Sequence, residues 1–253
     1  MLLRYRVSNR RSRRSEVGRF AFRRCPAAVT GQGCHRPRYD LHEALAHEAR
    51  ALADLAPVLV PGDAEALDAF DTRLGRFRTE LRHHSEVEDV VMFPAVVAAG
   101  GRVPDRFVDD HRAEQLAVYA LGCAVLGARA DGDASAFAAI GPAAVDLRDS
   151  LVEHLDAEDA EILSQVPDRF DPDAQGALIR RIIASTPADP HLQPWIAAAL
   201  SPDHLEARLR NLATTLSPAA LLGVLTQIHA GVDAATWDVV VTRAPDLAGL
   251  VPT

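Results

Sequence analysis

Leu81-Arg82-His83-His84-Ser85-Glu86-Val87-Glu88-Asp89-Val90-Val91-Met92-Phe93-Pro94 is the stretch from which the fold is read. Upstream of it, apolar side chains fall at Leu67, Phe70, Leu74, Phe77 and Leu81, in steps of three and four. That is the core-facing stripe of a helix packed in a bundle. The same stepping arrives next at His84 and Glu88, where a core stripe calls for leucine or valine. An unpaired carboxylate is costly to bury, so these positions need hydrogen-bonding partners or a metal. The interruption recurs seventy residues later, where Phe137, Ile140, Ala144, Leu147 and Leu151 lead to His154 and Glu158. In both cases His-x-x-x-Glu places imidazole and carboxylate on one helix face, about 5–6 Å apart at Cβ. A single pair of this kind could be a buried hydrogen bond. Two, each ending a long apolar stripe, suit a shared metal centre.

Composition supports an all-helical chain. Ala, Leu and Val dominate the apolar residues of its 253-residue sequence, Gly and Pro gather between periodic runs, and no alternating strand pattern stands out. The net charge of −8 conceals a split. Residues 1–38 hold 11 Arg and one Glu, net +10, which leaves −18 on residues 39–253. The acidic body argues against nucleic acid as a partner of the folded part. The basic segment is expected to be a disordered arm, read as a dispensable extension, with contact to nucleic acid or an anionic surface as the alternative. Cys25, Cys34 and Cys123 make no disulfide framework in a chain of this length. No run approaches the length of a membrane span, and no signal-peptide core is present, so a cytoplasmic protein is expected.

Turn signals divide the body. Helix one runs from Asp40 to about Val60, with stripe positions His42, Leu45, Ala49, Leu52, Leu55 and Leu59, and stops at Pro61-Gly62. Asp63 caps helix two, which continues to about Ala99 and ends in Gly100-Gly101. Pro104 opens helix three, with Phe107, His111, Glu114, Val118, Leu121 and Val125 in line. Asp131-Gly132-Asp133 turns the chain into helix four, which reaches about Val166 with a bend at Gly141-Pro142. Short connections favour an up-down-up-down four-helix bundle over residues 39–167. His42 and His84 stand 20 and 22 residues from the first turn, and His111 and His154 stand 21 and 22 from the third. These four histidines, with Glu88 and Glu158, can therefore meet in one layer. Bridging carboxylates and solvent would complete two metal positions and leave room for a small ligand; mixed His/carboxylate donors suit iron and manganese, and zinc can enter.

The pattern resembles the hemerythrin-like domain, in its His-His-Glu cation-binding branch. The matching segments are His42-Glu43-Ala44-Leu45, His84-x-x-x-Glu88-Asp89 leading to Met92-Phe93-Pro94, His111, and His154-x-x-x-Glu158-Asp159 followed by Ile162-Leu163. They cover about residues 40–166. The resemblance implies a non-haem di-iron centre in a four-helix bundle, with His42, His84, Glu88, His111, His154 and Glu158 as ligands. It also implies association with O₂, peroxide or NO, in sensing, storage or protection. One departure stands out. Oxygen carriers place a second histidine four residues after the helix-three ligand, and here that position is Gln115, which opens a coordination site. An enzyme reducing peroxide or oxidising a substrate at the same centre is the alternative, as is a regulatory module acting through the C-terminal residues.

Other polar residues near the stripe have ordinary readings. Glu114 is an extra ligand or a base beside the site, though the surface is its expected place. His83 is solvated or touches a ligand from outside; His47 rotates off the stripe. Asp89 and Asp159 are expected to be exposed, although either could orient a ligand histidine. Cys123 is read as a buried thiol. Residues 171–253 read as a small helical domain packing on the bundle or on a partner, with Ser201-Pro202 and Ser217-Pro218 opening helices and Gly231 ending one. His191, His204 and His229 there lack ligand spacing, and the segment carries no recognisable chemistry.

Overall fold

A computed structural model describes residues 40–185 and 189–251 of the chain. The Arg-rich arm, with Cys25 and Cys34, lies outside the described residues. Among those described, all regular structure is helical and no helix is long and apolar enough to cross a membrane. Four long helices carry the site: α1 (Asp40–Leu55), α2 (Ala64–Val87), α4 (Arg106–Asp131) and α6 (Ile140–Glu161). Short α3 (Phe93–Ala98) extends α2, and α5 (Ala134–Ala138) precedes α6. α1 packs on α2 and α6, and α4 packs on the same two. Phe77, Leu81, Leu121, Val125, Ile140, Leu147 and Leu151 are at most 1% exposed within their common core. Each belongs to a stripe read from the sequence.

Helix ends follow local chemistry, with some departures from expectation. α1 stops at Leu55 and passes into a 3₁₀ turn, Ala56–Val58. Pro57 disfavours α geometry in the residue before it and supplies no N–H. The stripe therefore shifts to Ala56, 2% exposed, and Leu55 is left at 38%. Asp63 caps α2 by accepting from the Ala66 N–H, as expected. Helix two is not uniform: α2 gives way to a π-helical turn, Glu88–Met92, before α3. The Phe93 N–H reaches back five residues to the Glu88 carbonyl. The wider turn accommodates Pro94, whose ring and missing N–H are incompatible with an unbroken α ladder. Helix four breaks at Ala139, before the expected bend. Pro142 then falls in the first turn of α6, where a missing N–H costs no intrahelical hydrogen bond. Between α4 and α5, Gly132 adopts φ 66° and donates its N–H to the Ala128 carbonyl, a left-handed cap open to glycine at little cost.

Beyond α6, a 3₁₀ turn and α7 (Val166–Arg169) lead to α8 (Pro172–Ser185). α9 (Leu192–Ala199), α10 (Pro202–Thr215), α11 (Pro218–Gly231), α12 (Ala234–Arg243) and α13 (Pro245–Ala248) follow. Ser201 and Ser217 cap α10 and α11 with proline at the first helical position, and α11 ends at Gly231. Leu205, Leu209, Leu225, Ile228 and Val240 share a second core that also takes in Ala44 of α1, with Leu212 and Leu216 packed against it. Trp195 of α9 packs against both cores.

Candidate metal centre

Six polar side chains interrupt the core at one level. His42 comes from α1, His84 from α2, Glu88 from the π turn, His111 from α4, and His154 and Glu158 from α6. None is more than 4% exposed. Glu88 lies among three histidines: its carboxylate is 3.3 Å from His42 Nε2, 3.1 Å from His84 Nε2 and 3.3 Å from His111 Nε2. Glu158 lies 3.4 Å from His154 Nε2 and 3.6 Å from His42 Nε2. The imidazoles follow one another around the layer, with centroid separations of 4.9 Å from His42 to His84, 5.8 Å from His84 to His111 and 4.9 Å from His111 to His154. Aromatic side chains close one side. Phe93 stacks on His111 at 5.7 Å, and Phe107 meets His154 edge-on at 5.6 Å.

Histidine orientation is set from outside the layer. His42 Nδ1 is 2.8 Å from Asp159 Oδ1, and His111 Nδ1 is 2.9 Å from Asp89 Oδ1. A carboxylate acceptor keeps the proton on Nδ1 and turns the Nε2 lone pair inward. Each aspartate directly follows an inward glutamate, so Glu88-Asp89 and Glu158-Asp159 act alike. The glutamate enters the layer, and the aspartate reaches a histidine on a neighbouring helix. Both aspartates are about one-third exposed; they lie off the stripe as expected and also hold ring orientation. The repeated Glu-Asp pair was the signal for this role. Asp110 was not singled out by the sequence reading. It stands 3.6 Å from His154 Nδ1, as does Glu114.

Glu114 is a clear departure from expectation. It is 1% exposed, and neither of its oxygens makes a hydrogen bond. Helix stepping carries it inward one turn beyond His111, and burial pushes its carboxyl up to about 7. Cys123 departs the other way: it is exposed, because α4 turns that face outward. Gln115 is half-buried beside the layer, with its amide nitrogen enclosed and unpaired. His83 is half-buried next to Arg82 and His47 is exposed; neither enters the layer.

Protonation in the layer follows from burial opposed by charge. Burial lowers His84 to about 3 despite the adjacent Glu88. Burial also works against His42 and His111, but the carboxylates beside them, Asp159 and Glu88 for His42 and Glu88 and Asp89 for His111, outweigh it and raise them to about 10 and about 9. Burial and the nearby Glu88 charge push the Glu158 carboxyl up. For Glu88, the surrounding histidines overcome burial and hold the carboxyl below its ordinary range.

A metal fits these residues. His111 Nε2, His154 Nε2 and both Glu158 oxygens are buried without a hydrogen bond, and a bound ion is one partner that accounts for buried orphans of this kind. Two overlapping quartets bring their donor atoms within 4.8 Å of one another: His84, His111, His154 and Glu158, and His42, His84, Glu88 and Glu158. Imidazole with carboxylate is a donor set for iron or manganese.

Comparison with known proteins agrees. The sequence model for the hemerythrin HHE cation-binding domain matches residues 39–166, half of the chain. The chain belongs to this family. Among curated proteins, the chain is similar to the zinc finger protein BRUTUS of Arabidopsis thaliana, 25% identical over 179 residues. The similarity covers 68% of this chain and 14% of that protein. No solved structure matches. Family membership accounts for a candidate metal-holding cluster of histidine and glutamate within a helical body.

Proposed function

We propose that this hemerythrin-family chain holds two iron ions in the layer and presents one open position to a small ligand, O₂, peroxide or NO. The observation that carries the reading is the pair of overlapping quartets. They share His84 and Glu158; the two oxygens of Glu158 can serve both positions, whereas His84 Nε2 can serve only one of them. Glu88, in contact with three histidines, is the second carboxylate suited to bridging. His42, His84, His111 and His154 are the nitrogen ligands. Gln115 offers no imidazole, so the position beside His111 is the open one. When bound, iron supplies redox chemistry and affinity for such ligands. The chain's residues do the rest: Asp159 and Asp89 hold rings in place, and Phe93 and Phe107 exclude water from one side. In this reading α1, α2 with α3, α4 and α6 form an up-down-up-down bundle, and residues 171–253 form a separate helical domain. The role is sensing, storage or protection in the cytoplasm.

The test is metal analysis with absorption spectra of protein loaded anaerobically with ferrous iron and then exposed to air. We expect about two irons per chain, near-ultraviolet absorption after exposure, and loss of both in Glu88→Ala. Substoichiometric iron and a featureless spectrum would reduce the layer to buried hydrogen bonds. Absorption that reverses on deoxygenation would identify O₂ as the ligand.

A second reading, regulation through the C-terminal residues, is favoured by where those residues touch. Leu178 of α8 packs on Val87 and Val91, which flank Glu88. On α1, Arg208 bonds Asp40 at 2.6 Å and His204 pairs with Glu43, to either side of His42. Metal occupancy would thus be felt by two C-terminal contacts.

A further inference from the structure

α4 has an outward face unlike those of its neighbours. From residue 115 to residue 128 the helix carries no charged side chain. Other outer faces are charged, with Arg78 and Arg82 on α2 and Asp149 and Glu153 on α6, all exposed. A helix apolar on every side is a buried helix, yet one side of α4 is left in water. On that side Leu116, Tyr119 and Leu126 are 69%, 70% and 61% exposed, and Cys123 stands between them. Their steps of three, four and three form a coiled-coil seam. Arg129, which ends the uncharged run, is folded back onto Asp68 and Asp71 of α2 and leaves the seam clear.

We propose that this seam is a dimer interface, occupied by α4 of a second copy running antiparallel about a two-fold axis at the level of Leu121. The stripe is self-complementary only in that sense. Leu116 meets Leu126 of the second copy, Tyr119 meets Cys123, and Arg112 meets Ala130 with Asp131 beside it. Arg112 and Asp131, the charges bounding the seam, thus pair crosswise at both ends, whereas a parallel pairing sets Arg112 against Arg112. Arg112 is 72% exposed and its present partner is Asp109 of the same helix, so it is available for exchange. Exposed Ala113 and Ala120 flank the seam with small side chains and permit a helix separation near the low end of about 8–10 Å. A two-fold contact of this type is isologous and closed, so it ends at a dimer.

Sedimentation of the full chain tests this, with Leu116→Asp and Leu126→Arg as variants. Both positions face water in the single chain, so helicity by circular dichroism should be unchanged. We expect the wild type to be dimeric and each variant alone to dissociate with a dimer constant raised roughly 100-fold or more, the effect of a charge at a central anchor. Mixing the two variants should restore a dimer, because antiparallel register sets the new Asp against the new Arg. A monomeric wild type at its highest soluble concentration would overturn the proposal and point to a different protein on the seam. A dimer indifferent to both substitutions would overturn it, and failure of the mixture to reassociate would overturn the antiparallel register.

Discussion

Asp89 contributes through His111. With its carboxylate gone, the imidazole loses the acceptor that fixes its Nδ1 proton and the direction of Nε2. If His111 is a ligand, as proposed, removing such an outer partner costs about 10–100-fold in metal affinity, so Asp89→Ala should show that loss in a competition titration with a chelator, with helicity intact. Glu114 acts in the opposite sense in the metal-free protein. Its folded-state pKa, about 7, lies above the ordinary glutamate value of 4.5 because burial penalises the charge. A group raised on folding adds stability that is fully present below its unfolded pKa and is lost as pH rises through the folded one. The loss thus falls between about pH 4.5 and 7, up to roughly 3 kcal/mol if fully expressed. Chelated Glu114→Gln protein, with no proton to lose there, should show a flatter decline in its urea midpoint over that interval. Equal slopes in the two proteins would contradict the assignment.

At the scale of elements, stripes set which faces are buried, and punctuation sets where helices stop. Gly132 shows the second effect alone. A Cβ at this position meets nothing within 4 Å, so Gly132→Ala tests backbone conformation without a clash. Holding alanine at φ 66° should cost about 1–2 kcal/mol, visible as a lower thermal midpoint with the metal content of the protein unchanged. The π turn shows how one residue reshapes an element. Pro94 prevents regular α geometry, and the added width of Glu88–Met92 lets Glu88 face inward while Phe93, five residues on, still lies against His111.

At the scale of the molecule, the layer ties four helices whose other contacts are an apolar core and ion pairs at its rim, among them Arg73 with Glu48 and Arg129 with Asp68. Ion removal leaves buried carboxylates and imidazoles facing one another, and metal binding to the folded state alone adds to its stability. Chelation should therefore lower the thermal midpoint and speed amide hydrogen exchange in α1 and α6. Under the regulatory reading, α8 and the start of α10 should also exchange faster, because they rest on the segments holding Glu88 and His42. Exchange there that ignores chelation would confine the response to the metal layer and remove that reading.

All six residues of the layer were legible in the sequence, because a period of three and four makes a polar residue on a core stripe conspicuous. Caps at Asp63, Ser201 and Ser217 were legible for the same reason: their chemistry is local. Glu114 also stood on a stripe, but burial of a lone carboxyl is so costly that the surface was the natural expectation; only the packing of α4 against α6 put it beside His154. The hold of Asp89 on His111 and of Asp159 on His42 joins residues 22 and 117 apart. No local period encodes such pairings, since they depend on which helices become neighbours. The exposure of Cys123, and with it the uncharged face of α4, likewise came from tertiary structure. Periodicity says that a helix has an apolar face, whereas only packing decides which of several apolar faces the rest of the chain covers.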